Sequence, residues 1–469
     1  MGWQLSSTSS RNAVLAWTRP IKADAIVVLK RYVRRPVLVF CLLKHALSAI
    51  YFGLTVGSLL TITPTEAQTV QVYSVPASTV ANIALLLAHL YSIGPLLCLL
   101  HSQRRLHLRP SSRFLWLETR TASCVFQALE LGMQSFQAWR LSFYVTSMTV
   151  VCVYTSCIAL NCLVSPLLLT SRAPFVHKTL RLFLNGVLGF TLYTAFPLLD
   201  LAPRIYAKKF QPIAIASQLR NDASWLTMTT LGMRGYISNT LMSLICKVLL
   251  GALNIWTMQL LAQSVLQMSP RARACAITAP PCPPAAIAPH NEKMASRLVS
   301  LSELQQYWNR NLTRPAKAIC LALILWGLVL IANIIWLLGF KSVCPSTCKV
   351  AVTPLLRHVS CYCAYAHVHC PTTTTNDDDG GVAYLQSQLA PLGTRLFYLE
   401  IDHCPLPHGV PAHVLAPFAK LFALRVLFSN MTSFDGVDLP SSLMVLELRY
   451  NAFTIAPTVV TTALPPMLL

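Results

Sequence analysis

Up to residue 340 the chain alternates between long apolar runs and connections that are mostly basic. Six runs stand out, at about 42–61, 78–100, 141–170, 182–199, 238–264 and 319–340. Crossing a bilayer takes about 20 residues of helix. Such a run in lipid must be helical, because only a helix satisfies its own backbone there. STVANIALLLAHLYSIGPLLCLL and ICLALILWGLVLIANIIWLLGF hold no charge. The first run begins beside Lys44 and His45. The fifth carries Lys247, Asn254, Gln259 and Gln263, which suit a re-entrant or interfacial helix, or one facing a protein interior. Gly53-x-x-x-Gly57 offers a face for packing a second helix.

Beyond residue 393 the pattern changes. LFYLEIDHCPL reads Leu396-x-x-Leu399-x-Ile401-x-x-Cys404-x-Leu406. LFALRVLFSNM and LMVLELRYNAF repeat the frame from Leu421 and Leu443, starts that lie 25 and then 22 residues apart. This is the leucine-rich-repeat template, with Ser429 a departure at its ninth position. Each frame predicts a short strand that points alternate residues into a shared core. The intervening positions then carry ligand contacts on a concave face: Tyr398, Glu400, Asp402, Arg425, Phe428, Glu447 and Arg449. Leu464-Pro465-Pro466-Met467-Leu468 reads as the opening of a fourth frame, so the array looks truncated.

The expected fold is an all-α polytopic membrane domain of five or six transmembrane helices, followed by a short α/β leucine-rich-repeat solenoid with a cysteine-rich N-terminal cap. Its parts are a basic cytosolic segment (1–36), the multi-helix membrane domain (37–264), a linker with an amphipathic helix (265–318), the last transmembrane helix (319–340), the cap (341–393) and the repeats (394–469).

Charge orients this layout. Lys and Arg outnumber Asp and Glu 37 to 16. Most of that excess lies between apolar runs, where the positive-inside rule accounts for it without nucleic acid. Seven basic residues and one acid fall in the first 36 positions, none in 62–77 and six in 101–140. The N-terminus is therefore expected in the cytosol, 62–77 outside and 101–140 inside as a loop. Six full crossings would bring the tail inside, against the seven basic residues of 265–318. A non-crossing 238–264 resolves that conflict and places the tail in an extracellular or lumenal space. No cleavable signal peptide is read at the start.

The tail's six cysteines (Cys344, Cys348, Cys361, Cys363, Cys370 and Cys404) then form a disulfide cap, whose pairing the sequence leaves open. If the tail were cytosolic, Cys344, Cys348, Cys361 or Cys363 and His367 or His369 would instead supply a zinc set. No metal or cofactor is assigned. Asn430-Met431-Thr432 is a glycosylation sequon, usable only outside the cytosol. SPRARACAITAPPCPPAAIAPH reads as a linker, and Met294, Leu298, Leu301, Leu304 and Trp308 as the apolar stripe of a basic surface helix. TTTTNDDDGG (372–381) reads as a solvated loop.

In layout the chain resembles large families of polytopic membrane proteins from oomycetes. The matching stretches are NDASWLTMT (221–229), ICLALILWGLVLIANIIWLL and YLEIDHCPL. The resemblance implies this arrangement of helices and repeats, and no activity or binding residues.

The expectation is a multi-pass protein of the plasma membrane or endomembranes, whose partners are the bilayer and a protein or glycan ligand of the repeats. Transport is the alternative. Lys44, His89 and Lys247 are the intramembrane polar candidates, with no Asp or Glu read within a span. No phosphate loop, nucleophile elbow, zinc-protease or kinase motif is present, so no catalysis is expected.

Overall fold

The structure is a computed structural model. It describes residues 23–101, 120–169, 175–209, 218–219, 221–267, 313–339, 344–356, 361–371, 378–434 and 439–457. The Pro/Ala linker, the helical stripe read from Met294 to Trp308 and the fourth frame lie outside these residues.

The N-terminal part is helical. Its elements are α1 (Ala23–Leu60), α2 (Pro64–Thr69), α3 (Val75–His101), α4 (Arg120–Leu141) and α5 (Met148–Leu169). Next come α6, a run over 175–209 that includes π turns at Phe175–Leu180 and Thr191–Ala195, then α7 (Ala223–Tyr236), α8 (Leu241–Gln267) and α9 (Arg314–Gly339). Six stretches are long and apolar enough to cross a membrane: Val33–Leu60, Val75–His101, Met148–Leu169, Lys178–Arg204, Leu241–Leu266 and Arg314–Gly339.

Two sequence expectations change here. Residues 101–140 do not form only a loop: α4 packs against α5, α8 and α9. The apolar run 141–170 is not one helix either, because the chain turns through 142–147 before α5. Low overall hydropathy hid α4, which buries polar side chains among apolar Leu131, Met133 and Ala138 while exposing other apolar ones. Val125, Leu129 and Trp139 are exposed, while Gln127, Glu130 and Gln134 are buried. A helix in water has the reverse arrangement. Gly53 and Gly57 make no close helix contact, since a side chain at either would meet open space.

The helix ends fall into two groups. At one, Thr121 bonds Thr313 at 2.9 Å, and Cys124 meets Cys320 at 3.6 Å. At the other, Arg234 Nε donates to Thr69 O, Tyr73 N to Ser238 O, and Leu355 N to Ser142 Oγ. The C-terminal part therefore sits at the end where α1, α4 and α9 finish.

That part is a small mixed sheet of β1 (Cys348–Ala351), β2 (Cys363–His369), β3 (Tyr398–Asp402), β4 (Ala423–Leu427) and β5 (Val445–Arg449), in that spatial order. β1 runs antiparallel to β2, and the others run parallel. Each eleven-residue frame supplies one strand, in register: Leu399 pairs with Leu424, and Leu424 with Leu446. Leu399, Ile401, Leu424 and Val426 are fully buried in one core. Helix α10 (Asp378–Leu389) and the turn α11 (Ala412–Leu415) connect the strands. The stretch read as a loop over 372–381 enters α10 at Asp378.

Three disulfides fasten the start of the sheet: Cys344–Cys361, Cys348–Cys363 and Cys370–Cys404. These bridges consume the thiolates that the zinc alternative required.

Candidate functional site: the sheet face and the polar seam of the helices

Alternation places Tyr365, His367 and His369 of β2, and Tyr398, Glu400 and Asp402 of β3, on the face opposite the core. The expected concave residues have unequal fates there. Tyr398 is not available: it is 1% exposed, packed edge-on against Tyr365 in a cluster with Ala223 and Leu231 of α7. The helical part itself covers this end of the face.

Asp222 caps α7, accepting from Ser224 N at 2.9 Å and Trp225 N at 3.2 Å. It thereby sets where the helix meets the sheet. Arg234, in the last turn of α7, lies over the rings of Phe397 (4.7 Å) and Phe422 (5.2 Å), which stack 4.8 Å apart. Burial lowers its pKa to about 10.

Glu400, Arg425 and Glu447 form a ladder rather than free contact positions. Arg425 Nε lies 2.8 Å from Glu447, its Nη1 lies 3.8 Å from Glu400, and Tyr365 OH donates to Glu400 at 2.9 Å. Burial works to lower the Arg425 pKa, but Tyr398, Glu447 and Glu400 together raise it. Burial, then the neighbouring Glu400, raises that of Tyr365. Arg449 pairs with Glu447 at 2.5 Å yet keeps its side chain 60% exposed.

Beyond the strand ends lies an exposed strip. His403, Phe428 and Tyr450 each follow a strand by one residue and share left-handed backbone, with φ of 52°, 49° and 60°. Their rings stack in sequence, His403 on Phe428 at 5.1 Å and Phe428 on Tyr450 at 4.4 Å. Only Phe428 was singled out from the sequence. The common offset of the three residues from their frames was the signal for the other two. Asn451 braces the strip, accepting from Ser429 N at 3.0 Å and donating to Val426 O at 3.1 Å. Ser429, where the neighbouring frames have Cys404 and Asn451, turns its own hydroxyl to Leu427 O at 2.9 Å. Asn430 is exposed, also with left-handed backbone.

No family model, curated protein or solved structure matches the chain.

The second assembly lies inside the helices. Lys44 of α1 donates to Gly186 O at 3.2 Å and to Asn254 Oδ1 at 3.0 Å. Glu130 of α4, read in the sequence as part of a loop, is fully buried beside it. Glu130 accepts from Asn185 Nδ2 at 2.5 Å and Gln134 Nε2 at 3.3 Å. Asn185 Oδ1 in turn accepts from Gln127 at 3.2 Å and Asn161 at 2.7 Å. Gly189 permits the close approach. A side chain there would come within 2.6 Å of Asn254 Oδ1 and 3.4 Å of Glu130 Oε1.

His89 meets His45 at 2.9 Å through the two Nδ1 atoms, and Ser48 meets Thr194 at 3.1 Å. Toward the sheet, Tyr193 OH donates to Lys247 O at 2.6 Å. Lys247 lines a cavity with Tyr51, Arg140, Tyr154, Tyr193 and Tyr236. Lys44 and His89 thus belong to one polar seam, while Lys247 lines the cavity nearer the sheet. The sequence reading missed Glu130, Gln127 and Gln134. Their spacing of three and four, beside apolar Val125 and Leu129, was the available signal.

Proposed function

We propose that the chain is a membrane-embedded recognition protein. Its C-terminal sheet is a short leucine-rich-repeat solenoid with a disulfide cap, which binds a protein or glycan ligand and passes that event to the helices holding it. The carrying observation is the docking of the sheet on α7 through Arg234, while the His403–Phe428–Tyr450 strip and Arg449 stay exposed. Rigid stacked aromatics beside a charge are what recognition surfaces use for anchors. The repeat reading is supported by three frames that give three in-register parallel strands.

In this reading α4 is a seventh crossing. Its apolar face meets lipid and its polar face meets the seam, because polar side chains in a bilayer face protein. Seven crossings put the basic N-terminus and the tail on opposite sides with 238–264 spanning, an alternative to the re-entrant expectation. An oxidising compartment suits the three disulfides.

The test is a map of tags at residues 1 and 469, with glycan scored at Asn430. A cytosolic first tag, a protected or surface last tag and a mass shift removed by Asn430→Gln are expected. Both tags on the cytosolic side would overturn the reading. Recognition itself is tested by probing glycan and ectodomain arrays with the purified full chain. Binding that disappears in Phe428→Ala/Tyr450→Ala supports it, and binding unaffected by that change refutes the assigned surface.

Glu130 favours a second reading, in which the seam conducts protons or a small cation across the membrane. Ionisable residues inside a bilayer are costly and mark such pathways. Proton flux in liposomes that is present in the native chain and lost in Glu130→Gln would select transport. Equal flux in both would discard it.

A further inference from the structure

His369, Asp402 and His403 come together at the ends of two neighbouring strands. Register sets His369 directly beside Asp402 across the β2–β3 pair. His403 follows Asp402 and turns back through its left-handed backbone. His369 Nδ1 lies 2.8 Å from Asp402 Oδ1, and His403 Nδ1 lies 3.7 Å from Oδ2. One donor atom from each of the three residues falls within 4.8 Å of the others. Zinc bonds to His and Asp are about 2.0–2.2 Å long, so ligand atoms around a tetrahedral ion sit roughly 3.3 Å apart. The two His–Asp separations, 2.8 and 3.7 Å, bracket that figure.

The surroundings are those of a held site. Phe428 stacks on the His403 ring with the planes 20° apart. The Cys370–Cys404 bridge ties the residue after His369 to the residue after His403. His367, two positions back on the same face of β2, brings a buried Nε2 to 3.2 Å from Asp402 Oδ2, outside hydrogen-bond geometry. A small turn of the His367 ring would let it donate to Asp402, the contact by which outer partners orient a metal-bound carboxylate.

We propose that His369, Asp402 and His403 bind one divalent transition-metal ion of the zinc class, with His367 positioning Asp402. Two imidazoles and a carboxylate suit zinc rather than calcium or magnesium, which take oxygen ligands. Three protein ligands leave a coordination position for water or for an oxygen of a bound partner. The site is independent of the cysteine set considered from the sequence, because Cys344, Cys348, Cys361 and Cys363 are all bridged. It does not depend on the ligand proposed for the repeats.

The experiment uses the full chain purified in detergent, stripped with chelator and dialysed against buffered zinc, with bound metal counted by elemental analysis. His403→Ala and Asp402→Asn should each lose one equivalent of zinc relative to the native chain. His408→Ala/His413→Ala, which removes exposed imidazoles elsewhere on the domain, should lose none. His367→Ala should keep the stoichiometry and weaken affinity about 10–100-fold. Cobalt provides a readout on the unaltered protein: nitrogen and oxygen ligands give visible bands without the near-ultraviolet charge transfer of thiolates. Unchanged zinc content in both ligand variants, or a thiolate band from bound cobalt, would overturn the assignment.

Discussion

Arg234 of α7 holds its guanidinium 4.7 Å from the ring centre of Phe397, the residue that leads into β3. One side chain thus joins a helix following the fourth apolar run to the strand β3 that Phe397 leads into. It also donates to Thr69 O at 2.9 Å, so the clamp has three jaws. Arg234→Ala should lower stability by about 2–4 kcal/mol, combining a desolvated cation–π contact with a charged hydrogen bond. Limited proteolysis would show the consequence as faster cleavage near 340–356, and Arg234→Lys should restore only part of the protection.

Glu130 should tolerate loss of charge better than loss of polarity. In Glu130→Gln an amide oxygen can still accept from Asn185. In Glu130→Leu the Asn185 and Gln134 amides lose their acceptor, and Lys44 loses its neighbouring charge. Removing one member of a buried charged network costs about 3–5 kcal/mol. Thermal unfolding in detergent should therefore rank native, Gln and Leu in descending order, with the larger step to Leu.

The Cys370–Cys404 bridge closes a separation of 34 residues and links the ends of β2 and β3. Cys370→Ala/Cys404→Ala should cost about 2–5 kcal/mol. Treating the native chain with reductant, which opens all three bridges, should produce a drop in its unfolding temperature at least as large. A drop seen with reductant but absent in the double variant would assign it to the other two bridges.

Tyr398 supplies a pH dependence. Burial, opposed by Arg425 and assisted by Glu400, lifts its phenol to about 12, above the usual value near 10. The stabilisation from keeping it neutral is fully present below pH 10 and is lost as pH rises through 12, because the unfolded chain ionises first. The loss amounts to roughly 2–3 kcal/mol. Unfolding temperature measured from pH 9 to 11 should fall more steeply for the native chain than for Tyr398→Phe.

How far the sequence foretold this molecule depends on which signal each part uses. Uninterrupted apolar runs announced six helices, since nothing else satisfies a backbone in lipid. The leucine frames announced strand positions, because alternate burial leaves a period of two. Helix α4 escaped notice because six of its side chains are Gln, Glu or Arg, and averaging along the chain hides which face carries them. Tyr398 was misjudged for another reason. Frame position tells which way it points, but only the tertiary arrangement reveals that α7 lies in front of it. The six tail cysteines were legible as a bridged set, whereas their pairing required the sheet register.

Helix α7 has a second grip besides Arg234: Arg140 of α4 bonds the backbone oxygens of Gly235 and Ile237 at its end. Adjacent residues of one short rod thus bear on the sheet and on the helix that carries Glu130, ten positions or about 15 Å along α4. A pull on the sheet would act as a torque about that joint, and α4 would have to follow. The geometry makes the C-terminal sheet a handle, and the buried carboxylate would register a turn of that handle without touching what turned it.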